Sequence, residues 1–159
     1  MIVVVWPERI VLGVIGRGDE LALAWALGLA RRWSADLQVV AGYHPPVGMF
    51  PHIVSAREWR EARDRARSRL TASVRDALLG VERDALGEVG LTLVTDNQLD
   101  HAIATRAQTS GLTLFSIAPT GLLARRHRAR ARRLAAELPC PSSLGPGQAV
   151  EPAGLDLVH

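Results

Sequence analysis

Arg9-Ile10-Val11-Leu12-Gly13-Val14-Ile15-Gly16-Arg17-Gly18 reads as a buried strand running into a glycine-broken turn. Asp19 and Glu20 follow at the start of a helical stretch, where the positive end of the helix dipole favours carboxylates. Ala22, Trp25, Ala26, Leu29 and Trp33 then recur at helical spacing, and after the Ser34-Ala35-Asp36 turn residues 37–43 form a second strand-like run. A crossover this short joins parallel strands by a right-handed connection. Residues 9–43 are therefore a complete strand-helix-strand unit, and the rest of the chain repeats it or departs from it.

Beyond Tyr43, the segment from His44 to Pro51 holds three prolines and a glycine and reads as a loop. His44 and His52 flank it at no spacing suited to a metal. Ser55 with Glu58 spells a capping box, and Trp59, Ala62, Ala66, Leu70, Val74, Ala77, Leu78 and Val81 carry one apolar stripe of a long helix that ends between Gly80 and Gly87. Residues 91–95 are a third strand, Asp96 or Asn97 caps a helix reaching Gly111 as its C-terminal glycine, and residues 112–118 are a fourth strand. Asp100 and His101 point in different directions on that helix and read as exposed polar residues. Residues 122–138 make a last helix with Leu123, Ala131, Leu134, Ala135 and Leu138 inward and Arg125, Arg126, Arg128, Arg130, Arg132 and Arg133 outward. Pro139 stops it.

The two ends differ from this pattern. Residues 1–6 are a β-branched run whose exposure in water would invite aggregation, so an extra strand on a sheet edge is the expectation, with residues 1–8 set apart from the domain. Residues 142–159 are rich in proline, glycine and serine; Ser142-Ser143-Leu144 makes a poor strand, and the tail is expected to be poorly structured.

All 19 basic residues are arginine, and the chain of 159 residues contains no lysine. That excludes the lysine-dependent chemistries in their usual form: Walker phosphate loops, protein kinases, Schiff-base enzymes and Ser-x-x-Lys hydrolases. Cys140 is the single cysteine, so no internal disulfide forms, and with no secretory pattern or membrane-length apolar run the expected location is cytoplasmic. Arginine abundance alone is a mark of genome composition. The net charge of +3 is small, and no aromatic residue lies between the arginines of residues 122–138 to stack a base, so specific nucleic-acid binding is not expected.

Alternating strands and helices in this order give an α/β, doubly wound parallel sheet, whose ligands bind beyond the carboxyl ends of the strands at the switch point. Arg9-Ile10-Val11-Leu12-Gly13-Val14, followed by Leu23-Ala24-Trp25-Ala26-Leu27 and Ala30-Arg31-Arg32, resembles the universal stress proteins, as does the helix ending in Pro139-Cys140-Pro141. The resemblance covers residues 9–141 and implies the adenine-nucleotide alpha-hydrolase-like fold of that family.

The resemblance also implies where ATP would bind, and there the sequence departs from the family pattern. ATP-binding members carry an aspartate at the end of the first strand, where Ile15 stands here. They follow the fourth strand with a phosphate loop of Gly, two residues, Gly, nine residues, then Gly with Ser or Thr, which lets backbone amides reach phosphate oxygens. Ala118 and Gly121 occupy the first two places. The last pair falls on Arg128-Ala129 counting back from Pro139, or on Ala131-Arg132 counting forward from Gly121. The candidate crevice is thus Ile15, Gly16, Arg17, Gly18, Ala118, Thr120, Gly121 and Arg128. The expected protein is a homodimeric, non-catalytic stress-adaptation or regulatory module without a resident cofactor. A nucleotide-binding member that holds ATP or AMP through arginine is the first alternative, and a small-molecule enzyme using the crevice is the second. A phosphate-bearing or other small ligand is the open partner.

Overall fold

A computed structural model describes residues 6–18, 20–44, 53–79, 86–144 and the backbone of 149–150. The strand-helix-strand unit is present as read: β1 (Arg9–Ile15), α1 (Glu20–Trp33) and β2 (Asp36–Tyr43). Then come α2 (Ala56–Leu78), β3 (Val89–Thr95), a 3-10 turn (Asp96–Gln98), α3 (Leu99–Ala107), β4 (Leu112–Ile117), α4 (Ala124–Glu137), β5 (Ser142–Ser143) and β6 (Ala149–Val150). The sheet order is β3-β2-β1-β4-β5-β6. The first five strands are parallel, and β6 closes the series antiparallel to β5.

Each face of the sheet has its own core. Ile10, Leu12 and Val14 of β1 and Leu37, Val39 and Ala41 of β2 pack against α1 and α2, while Val11, Ile15, Val40, Phe115 and Ile117 pack against α3 and α4. Burial on both sides explains why β1 reads as a continuous apolar run rather than an alternating one, and why all six residues of β4 are buried. In α1 the fully buried positions are Ala22, Leu23, Ala26, Leu27 and Ala30, and the bulkier Trp25, Leu29 and Trp33 flank that stripe half-buried. Small alanines let the helix axis approach the sheet, so the stripe sits one position away from the tryptophans that the spacing favoured. Gly13 serves the other face: a Cβ there would stand 2.7 Å from Ile103 Cδ1, so glycine sets how closely α3 lies on β1.

Several expectations are corrected. The Ser55–Glu58 capping box forms with both of its hydrogen bonds, but Asp96 and Asn97 cap nothing: α3 begins after a 3-10 turn with no side-chain cap. The carboxylates there face Arg130 instead. Gly111 is not a helix cap, since α3 ends at Ala107; its amide donates to the Arg9 carbonyl at 3.0 Å, and a Cβ on it would stand 2.7 Å from Pro7. Leu123 is 51 % exposed rather than inward, because α4 starts one residue later. Ser142 and Ser143 do pair, in parallel with Thr113 and Leu114, so the sheet continues past residue 141. Their side chains are small enough to be buried there.

The expected N-terminal strand lies mostly on residues 1–5, outside the described residues. Trp6 itself is not in a strand; it stacks on Trp33 with ring centroids 5.5 Å apart. The Asp19, His52 and Val81 expectations and the tail at 145–148 and 151–159 also fall outside the described residues.

Candidate functional site

Strand order 3-2-1-4-5 puts the topological switch between β1 and β4, which pair from Ile10↔Leu112 to Ile15↔Ile117. Chains leaving their carboxyl ends diverge to opposite faces, one into α1 and the other into α4, and the gap between them is the crevice in which such folds hold ligands. The turn after β1 needs its glycines. Gly16 and Gly18 have φ of 67° and 68°, a region costly to residues with a Cβ, and the Gly18 amide closes the turn onto the Ile15 carbonyl at 3.3 Å. Gly121, on the β4 to α4 side, has φ 119°.

The eight residues singled out from sequence do not converge on a common centre. Ile15 has 0 % exposure and belongs to the core beneath α3 and α4, so the place of the family aspartate is taken by packing. Arg17 is exposed at the tip of its turn, Ala118 is half-buried, Thr120 and Gly121 are exposed in the loop after β4, and Arg128 is half-buried in the second turn of α4. Gly16 and Gly18 are drawn into contacts with residues outside that set. A Cβ on Gly18 would stand 2.8 Å from Ser116 Oγ, a buried hydroxyl of β4.

The residue that sequence reasoning missed is His127. A Cβ on Gly16 would stand 2.5 Å from its Cε1 and 2.8 Å from its Nδ1, so the imidazole lies directly on the turn at the mouth of the crevice. The signal was its spacing. His127 follows Ala124 by three residues and precedes Ala131 by four, on the inward side of a helix whose other polar residues mostly face out.

Arg130 departs from the outward-facing reading in the same helix. Its Nε donates to Asp100 Oδ1 at 2.8 Å, its Nη1 to Asp96 Oδ1 at 3.1 Å, and its Nη2 to the Asp96 carbonyl at 2.9 Å. Burial alone lowers the pKa of this guanidinium, but the hydrogen bonds to Asp100 and Asp96 outweigh that and leave it raised above the ordinary value. The clamp ties α4 to the carboxyl end of β3 and fixes the helix that carries His127. Asp100 is thus engaged, although it and His101 form no acid-base pair. Among the described residues no cluster of His, Cys, Asp and Glu could hold a metal, and no helix is long and apolar enough to cross a membrane.

The architecture defines a class: an α/β protein with a doubly wound, mainly parallel sheet and its crevice between β1 and β4. Within that class the chain has the universal stress protein fold. It superposes on a universal stress protein from Archaeoglobus fulgidus with a TM-score of 0.51 at 18% identity, over 84% of this chain and 95% of that one. It superposes equally on universal stress protein UspA from Lactobacillus plantarum, TM-score 0.51 at 15% identity, over 87% and 98% of the two chains. No protein-family model and no curated protein matches the sequence.

Proposed function

We propose that this protein is a non-catalytic module of the universal stress protein type whose crevice no longer serves ATP. The observation that carries this reading is His127 resting on Gly16 at the switch point, where a nucleotide-binding relative would need open space against the backbone. Two further features support it. The position of the family aspartate is a buried isoleucine, and the closing pair of the phosphate loop is replaced by Arg128-Ala129 or Ala131-Arg132. The first removes a polar contact to the nucleoside, and the second replaces backbone amides with side chains that must be ordered to bind. A hydrogen bond to a charged group contributes about 1.5–3 kcal/mol, so losing both sets weakens binding by roughly a hundredfold or more.

The test is thermal melting of the full chain with Mg-ATP at about 1 mM. A ligand at a hundred times its dissociation constant stabilises a fold by about 2.7 kcal/mol, and at roughly 2–4 °C per kcal/mol for a chain of this size that is several degrees. The expected result is no shift. A clear rise with ATP that disappears when Gly121 is replaced by a bulky residue would overturn the proposal in favour of an arginine-assisted nucleotide site.

A further inference from the structure

α3 has nine residues, about 14 Å at the helical rise, whereas β1, β2 and β3 have seven or eight, about 23–27 Å. The helix is therefore little more than half as long as these strands. A cavity of ≈ 290 Å³ opens at the amino ends of these strands, opposite the crevice, lined among others by Arg9, Asp36, Gln38, Glu88, Gly90 and Arg106.

The floor of this cavity joins apolar Val11 to a polar pair on β2 and β3. Gln38 Nε2 donates to Thr92 Oγ1 at 2.7 Å, and the amide lies flat over Gly90, where a Cβ would stand 2.6 Å from Gln38 Oε1. The charges on its walls are sorted. Arg9 and Asp36 are register partners on neighbouring strands, yet Asp36 Oδ1 accepts from the Glu88 amide at 2.7 Å rather than pairing with Arg9. The guanidiniums of Arg9 and Arg106 have no ion-pair partner among the described residues. Positive groups thus stand on the β1 and α3 side, and Asp36 with Glu88 stands on the β2 and β3 side.

We propose that this cavity binds a small zwitterion of the α-amino-acid class, its carboxylate on Arg9 and Arg106 and its ammonium toward Asp36 and Glu88. An anion alone meets two carboxylates and the negative end of α3; a cation alone meets two guanidiniums. A dipolar ligand is stabilised by both walls. The volume, just under the roughly 300–1,000 Å³ of drug-sized sites, suits a molecule smaller than a nucleotide. This site is separate from the crevice and stands whether or not the proposal about ATP holds.

The experiment is titration of the full chain with L-glutamine, followed by amide NMR shifts, with acetate and methylammonium as single-charge arms. Saturable shifts at Gly90, Arg106 and Ser110 are expected, with both single-charge probes at least about tenfold weaker and Arg106→Ala weakening L-glutamine at least about tenfold. Arg106 is exposed, and an unchanged spectrum elsewhere verifies that this variant folds. Gln38→Leu, which removes the polar pair, is the second variant and should weaken binding similarly. The proposal is overturned by shifts absent from these residues, by shifts centred on Gly16 and His127, by acetate binding as well as L-glutamine, or by Arg106→Ala binding like the parent.

Discussion

Ser34 is the one non-glycine residue in the described chain with positive φ, 50°. It closes α1 as a C-terminal turn in which the Ala35 amide reaches the Ala30 carbonyl at 2.8 Å and the Ser34 amide reaches Arg31 at 3.2 Å, the paired bonds of a Schellman motif. A left-handed backbone costs a Cβ-bearing residue about 1–2 kcal/mol, and glycine gives back about 0.5–1 kcal/mol of this in unfolded-chain entropy. Ser34→Gly should therefore stabilise the protein by about 0.5–1 kcal/mol, read as a higher urea midpoint at unchanged m value. A lower midpoint would show that the Ser34 side chain contributes something its exposure does not reveal. Ser55 gives the opposite sign. Its hydroxyl accepts from the Glu58 amide at 3.2 Å while Glu58 Oε2 accepts from the Ser55 amide at 2.7 Å. Ser55→Ala should cost about 1 kcal/mol.

Among elements, α4 shows most clearly what the sequence conveys and what it withholds. Its apolar period gave the inward face of Ala131 and Leu134, and the capping box gave the start of α2, because both signals are local. The role of Arg130 was not legible, since its partners lie 30 and 34 residues away and an arginine on a helix otherwise reads as a solvated face. The 3-10 turn before α3 was hidden for the same reason: Asp96 resembles a cap by spacing, but a tertiary contact claims its carboxylate. Within the crevice, the glycine turns were legible because positive φ demands glycine, whereas His127 depended on how α4 docks. The clamp itself can be measured. The Arg130 side chain is 20 % exposed, so solvent screening is partial, and Arg130→Ala should cost about 1–3 kcal/mol. A double-mutant cycle with Asp96→Asn should show coupling, and additive losses would mean the bonds contribute little. Because the arginine pKa is raised, its share of stability is present below the ordinary arginine pKa and is lost only as pH rises through the still higher folded value. Across the pH range in which the protein is handled, the guanidinium side of the clamp should not titrate.

For the whole molecule, the two edges of the sheet differ. Among the described residues β3 is one edge, seven residues long and paired only with β2; the other ends in the two-residue β6. An unprotected edge of seven residues is the more hazardous, and natural proteins cover such edges by pairing, charge or a partner chain. We propose that the protein is a homodimer and that residues 1–6 help protect its sheet, either by covering an edge or by pairing across the interface. Trp6 itself stacks on Trp33, the last residue of α1. Light scattering on three proteins separates the contributions. The parent should be dimeric. Trp6→Ala, which removes only the stack, should melt earlier by an amount set by an aromatic pair of about 0.5–1.5 kcal/mol plus lost burial, yet remain dimeric. Deleting residues 1–6 should weaken the dimer or cause aggregation. A deletion variant as dimeric and soluble as the parent would leave β3 or β6 to form the interface unaided, and a monomeric parent would remove the need for an interface altogether.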